Sequence, residues 1–237
     1  MAALSSEAAL AYRDAELPDG RTPWRELDFT VIDLETTGLD PARDEIISFA
    51  TVTVAGGRVR LGDARYEVLR PRRMPDADTI RIHGLREADL AGAPSLTERI
   101  DELLEAITGR AMVAHVARIE RGFLGTALES LGLVLRNPVV DTAELDRELH
   151  RLRRDPGRDP VGLSETARGL GLPVHRPHHA DGDALTTAQA FIALAAHLEA
   201  FGPQTLGSLE RISLQSGGKR HSLGGFLGRF VPRRSAS

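Results

Sequence analysis

Along residues 28–70, apolar and β-branched positions fall into three short runs separated by turn residues. Residues 29–34, 45–54 and 58–69 each read as a strand. Gly56-Gly57 lies between the last two runs and predicts a tight hairpin turn. Residues 70–94 carry polar and Pro punctuation and read as a long connection.

Past residue 94 the apolar spacing becomes helical. "SLTERIDELLEAITG" at 95–109 predicts a helix, with Ser95 and Glu98 in a capping-box pattern and Gly109 at the end. "AMVAH" at 111–115 predicts a short buried strand. "RIERGFLGTALESLG" follows as a helix, with Ile119, Phe123, Ala127 and Leu131 in one row. "NPVVDT" at 137–142 predicts another strand, leading into a helix at 143–152. "DPGRDP" breaks the chain. A short helix near 163–170 and a longer one over 181–200 follow, the latter with Leu185, Ala188, Ile192 and Ala195 on one face.

Strands come first and then alternate with helices. That order predicts an α/β domain with a mixed five-stranded sheet flanked by helices. The first three strands suit an antiparallel meander, and the last two suit parallel addition through helices. Residues 1–27 read as a short helix and lead-in, 28–201 as the domain, and 202–237 as a basic, flexible tail.

Composition narrows the chemistry. The 237 residues contain no Cys, which excludes disulfides, thiolate metal sites and a Cys nucleophile. The opening residues lack a basic segment before an apolar one, so no signal peptide is expected. No run of about 20 apolar residues stands out as a membrane span. A cytoplasmic protein without membrane association is the expectation. The net charge is −4. Residues 216–237 hold five Lys/Arg and no acid, leaving 25 basic and 34 acidic groups, net −9, on the rest. An acidic body with a basic tail suits either gathered acids or a solvated acidic surface.

The acids in apolar surroundings carry the candidate chemistry. "DFTVIDLETTGLDP" sets Asp33 and Glu35 two residues apart on one strand, hence on one face. Buried like charges are costly unless a cation joins them. A hard divalent cation is one answer, and a polar strand end is the other. Glu120 opens a helix directly after a strand, in a row with Leu124 and Leu128. There it serves a site or simply complements the helix dipole. "HRPHHADGDALTTAQAF" places Asp183 near a helix start and His178 five residues before it. His175, His178 and His179 also raise a structural zinc site, which the lack of Cys and the adjacency of two His disfavour. A His beside a metal cluster suits general-base work. Asp141 closes a strand and reads as the cap of the next helix.

The ordered set "DLETTGLDP", "IRIHGL", "VAHVARIERGFL", "VVDTAEL" and "HHADGDALTTAQAF" closely resembles the DnaQ-like (DEDDh) 3′–5′ exonucleases, over about residues 28–200. The resemblance implies an RNase H-like exonuclease fold. It implies two Mg²⁺ (or Mn²⁺) ions held by Asp33, Glu35, Glu120 and Asp183, with His178 as the general base. Two such ions, about 3.5–4 Å apart, clamp a scissile phosphate. Thr36, Leu39 and His83 match positions that contact the terminal nucleotide. The implied substrate is nucleic acid with a free 3′ end, single-stranded DNA first and RNA second, cut to nucleoside 5′-monophosphates. The implied partner is a DNA polymerase or repair protein. Two positions depart from the family pattern His-Asn-Ala-x-Phe-Asp: Val116 replaces Asn, and Glu120 replaces Asp. The extra methylene shifts a carboxylate by about a bond length, and catalysis is sensitive at ~1 Å. A non-catalytic binding module is therefore the rival expectation.

Overall fold

The computed structural model describes residues 6–155 and 162–214. In chain order the elements are α1 (Glu7–Asp14), β1 (Asp28–Thr36), β2 (Ile46–Ala55), β3 (Arg58–Val68), α2 (Ala77–His83), α3 (Glu87–Leu90) and α4 (Leu96–Ile107). Then follow β4 (Ala111–Ala114), α5 (Arg118–Glu129), β5 (Val139–Asp141), α6 (Thr142–Leu152), α7 (Leu163–Gly169), α8 (Ala180–Leu198) and α9 (Leu206–Leu214).

The five strands form one sheet in the order β3-β2-β1-β4-β5. β1, β2 and β3 pair antiparallel, while β4 and β5 join in parallel. This is the expected mixed α/β sheet. Gly56 and Gly57 both take positive φ, +60° and +70°, the backbone that a two-residue hairpin turn demands. The helix at 96–107 starts as expected: the Glu98 carboxylate accepts the Ser95 N–H at 2.7 Å.

Period two splits β1 between two cores. Phe29 and Val31 join α6, α8 and α9 on one face. Ile32 and Leu34 join α1, α4 and α5 on the other. A strand buried on both faces reads as a continuous apolar run, which is why the two acids in β1 stand out.

Several expectations shift. The connection at 70–94 contains α2 and α3. On α5 the buried residues are Glu120, Phe123, Leu124 and Leu128; of the expected row through Ile119, Phe123, Ala127 and Leu131 only Phe123 is fully buried, with Ile119 and Leu131 partly buried against the same core. On α8 the deepest positions include Ala184, Ala188, Phe191 and Ala195, with Leu185 and Ile192 half-buried. Residues 180–201 are also long and apolar enough to cross a membrane by composition. Here α8 is a core helix: the Phe191 ring lies 4.8 Å from that of Phe29, tilted by 56°, and meets Trp24 edge-on at 5.6 Å.

The body also extends past both expected boundaries. Tyr12 and Trp24, in the lead-in, are buried. The flexible-tail expectation fails at α9, whose Leu206 and Leu209 are buried in the α8 core. The Gly207 N–H donates to Gly20 O at 2.7 Å, tying the two ends together. The basic stretch 216–237 lies outside the described residues.

Candidate active site

Asp33 and Glu35 lie at the C-terminal end of β1 on the α8 side, in register with Ala50 and Ser48 of β2. The register shifts between Glu35 and Thr36, where β1 leaves the sheet. The first turn of α8 brings Asp183 to the same face. Oxygens of Asp33, Glu35 and Asp183 all lie within 4.8 Å of one another. All three residues keep part of their surface open, so a ligand can reach them. α5 approaches from the other core and brings Glu120 in its first turn.

The electrostatics of the cluster are those of crowded like charges. Burial holds the Asp33 carboxyl well above the usual carboxylate range, and Glu35, Asp183 and Glu120 push it further. Burial and then Asp183 raise Glu35 to about 8. Glu120 is raised to about 8, by burial first and by Asp141 and Glu35 among its neighbours. Asp183 rises to about 6 through burial, moderated by the His178 amide and by His179. The Glu120 Oε2 atom is buried with no hydrogen-bond partner among the described residues. Glu120 is not among the groups whose oxygens lie within 4.8 Å of one another, yet its charge acts on Asp33, and three gathered carboxylates fit a hard divalent cation, which takes oxygen ligands and reverses the local charge.

His178 enters from the segment before α8, with its backbone in the left-handed region at φ +61°. Its N–H donates to Asp183 Oδ2 at 2.9 Å. Burial lowers the pKa of its half-buried ring, favouring the neutral form. Gly182 makes this approach possible. A Cβ there would lie 2.4 Å from the His175 carbonyl oxygen and 2.6 Å from that of Arg176.

Of the three remaining expected residues, Thr36 ends β1, Leu39 lies in the loop that follows it and His83 ends α2. Thr36 is buried, and its hydroxyl donates to the Gly38 carbonyl at 2.5 Å. Leu39 is half-buried in the loop that follows. That loop is braced where the Asp40 N–H donates to Asp44 Oδ2 at 2.9 Å. His83 ends α2, and its Nδ1 accepts the Leu85 N–H at 3.0 Å. Its Nε2 is buried without a partner among the described residues. Burial and then His179 lower its pKa to about 4.

The sequence reading treated Asp141 as a helix cap only. Its carboxylate does cap α6, accepting the Ala143 N–H at 2.9 Å. It also accepts the amides of Val116 and Ala117 at 3.0 and 2.9 Å. The signal for this second role was Val116, a β-branched residue at a position the family pattern gives to Asn.

Comparison with known proteins agrees with the geometry. The chain matches the exonuclease (RNase_T) family over residues 30–191. It is 33% identical over 199 residues to a DNA polymerase III subunit epsilon-like protein of Rhodobacter capsulatus, covering 83% of this chain and 28% of that one. It is 31% identical over 185 residues to a PolC-type DNA polymerase III of Thermotoga maritima, covering 78% of this chain and 13% of that one. The chain thus spans under a third of either relative. In fold it is similar to exonuclease X bound to 5′-overhanging duplex DNA, with TM-score 0.59, 24% identity, and 78% and 99% of the two chains covered. It is also similar to E. coli exonuclease I bound to a dT13 oligonucleotide, with TM-score 0.63, 16% identity, and 74% and 42% covered. The order of the motifs, the mixed sheet and the gathered acids all agree with that match: the chain belongs to the exonuclease family, as the DnaQ-like resemblance of its motifs implied.

Proposed function

We propose that this protein is a metal-dependent 3′–5′ exonuclease that acts on single-stranded DNA and releases nucleoside 5′-monophosphates. The observation that carries the reading is the cluster of Asp33, Glu35 and Asp183 oxygens within 4.8 Å, with Glu120, whose Oε2 is buried without a partner among the described residues, acting electrostatically on Asp33. Two Mg²⁺ or Mn²⁺ ions are the cofactors the reading calls for. Bound there, they would offset the charge of the scissile phosphate and lower the pKa of a water, which becomes the nucleophile as it loses its proton.

The chain's own residues do the rest. Asp33, Glu35, Glu120 and Asp183 would hold the cations. His178, neutral near pH 7, takes the proton of the attacking water at a ring nitrogen. Asp183 anchors the His178 main chain and so sets where that ring stands. The Nδ1 of His83 accepts the Leu85 N–H, which leaves the ring proton on the buried Nε2 at the end of α2. Thr36 and Leu39 shape the loop on which that nucleotide rests. The polymerase III names of the relatives support a polymerase or repair partner.

The test is hydrolysis of 5′-labelled single-stranded DNA and RNA of matched sequence, with Mg²⁺, Mn²⁺ or EDTA. A metal-dependent ladder that shortens from the 3′ end, faster on DNA, is expected. Faster hydrolysis of RNA would reassign the substrate. No ladder with either metal or strand would overturn the reading in favour of a binding module.

A further inference from the structure

Glu120 stands in the first turn of α5, directly after a tight connection from β4. β4 ends at Ala114 and α5 starts at Arg118, so residues 115–117 make the whole connection. The middle residue, Val116, sits at φ +63°. A Cβ clashes with the backbone there, and a branched one does so most. The residue is neither Gly nor Asn, so local sequence does not favour the turn. Ala117, the N-cap of α5, gives it no side-chain capping bond either.

The support comes from β5. Ala114 and Asp141 are parallel partners at the ends of their strands. One Asp141 oxygen accepts the Val116 N–H at 3.0 Å, and the other accepts the Ala117 N–H at 2.9 Å. The first oxygen also accepts the Ala143 N–H at 2.9 Å. The next residue, Thr142, places its Oγ1 2.9 Å from His115 Nδ1. Two consecutive residues therefore grip three consecutive residues of the connection. An ionised carboxylate suits the task because both of its oxygens accept, whereas an amide turns a donor toward one of the two N–H groups.

We propose that Asp141 is a positioning residue for Glu120: by binding the Val116 and Ala117 amides it holds the left-handed turn that aims Glu120 at Asp33 and Glu35. The inference rests on the metal-dependent reading above. With the grip lost, the turn relaxes toward right-handed backbone and the first turn of α5 rotates with it.

The test compares wild type, Asp141→Asn and Asp141→Asn/Val116→Gly. The readouts are amide hydrogen exchange over residues 115–120 without metal, Mn²⁺ titration, and kcat and KM on a 5′-labelled oligonucleotide. Asp141→Asn is expected to keep its circular dichroism spectrum and to exchange faster at Val116 and Ala117. Mn²⁺ affinity and kcat should each fall about tenfold, with KM nearly unchanged. Glycine takes positive φ unaided, so the double variant should regain most of the lost kcat. If Asp141→Asn alone does not fold, the same comparison is made between Val116→Gly and the double variant, where the turn no longer needs the grip and kcat should differ little. Wild-type exchange, Mn²⁺ affinity and kcat in a folded Asp141→Asn would overturn the inference. So would a double variant as slow as the single one. A wild type with neither saturable Mn²⁺ binding nor hydrolysis marks the failure of the functional reading, and removes the inference with it.

Discussion

The backbone N–H of His178 donates to Asp183 Oδ2 across 2.9 Å, from a left-handed backbone at φ +61°. The acid therefore has two tasks, one in the carboxylate cluster and one in anchoring the segment that carries the candidate base. Asp183→Ala removes both, and activity should fall by more than about a hundredfold. Asp183→Asn keeps an acceptor for the His178 amide and loses the charge. It should be as inactive as Ala while exchange at the His178 amide stays slow. Nuclease assays and hydrogen exchange on both variants read the two tasks apart. Full activity in Asp183→Ala would remove Asp183 from the site.

Glu120 is buried and one methylene longer than the family's usual Asp. Glu120→Ala should lower kcat strongly, by about a hundredfold, whereas Glu120→Asp should retain or raise it. Steady-state kinetics on one oligonucleotide decides the matter. Wild-type rates in the Ala variant would show that this carboxyl lies outside the chemistry.

Without metal, the fold should weaken as pH rises. Glu35 and Glu120 ordinarily titrate at 4.5 and are raised to about 8 in the folded chain. Below pH 4.5 the folded and unfolded states both keep these protons. Between 4.5 and 8 the unfolded chain releases protons that the folded chain retains, so stability falls across that window and levels off above it. EDTA-treated protein should melt several degrees lower at pH 8 than at pH 5, and Mg²⁺ should recover much of the loss at pH 8. A melting temperature independent of pH and Mg²⁺ would contradict the electrostatics described here.

Val116 holds a strained backbone at φ +63°. Asn tolerates this region far better, so Val116→Asn should stabilise the protein by about 1 kcal/mol. A chemical denaturation midpoint, compared at equal slope, measures it. A destabilised variant would mean that the half-buried Val side chain contributes more packing than the turn costs in strain.

Gly182 faces the His175 and Arg176 carbonyl oxygens at distances no Cβ can share. Gly182→Ala should push the segment carrying His178 off α8. Activity should then fall about tenfold or more, because catalysis is sensitive to ~1 Å displacements. Thermal melts and kinetics on the same preparation test this. Unchanged kcat would mean that the segment moves without carrying His178 out of place.

Much of this was legible in the chain itself. Period two places Asp33 and Glu35 on one face of β1, whatever surrounds them, because successive strand side chains point to opposite sides. Strands followed by strand–helix alternation gave the mixed sheet, and Ser95 with Glu98 marked the start of α4. These are local regularities, set by backbone geometry within a few residues.

Contacts between distant segments decided the rest. Local composition made 202–237 look like a tail, yet Leu206 and Leu209 are buried in the α8 core, and the Asp141 N–H donates to Ser213 Oγ at 2.8 Å. Trp24 packs edge-on against Phe191, and its indole donates to Glu199 at 2.7 Å, 175 residues away. The sequence marked Asp33, Glu35, Glu120 and Asp183 as candidates one by one. Bringing Asp183 to Asp33 and Glu35 needed α8 to reach the end of β1, and α5, from the opposite core, sets Glu120 where its charge raises Asp33. The left-handed turn at Val116 needed a carboxylate from β5. The residue types of this site are a property of the sequence. Its geometry exists only once the sheet is assembled, because the acids come from β1, α5 and α8, segments far apart along the chain.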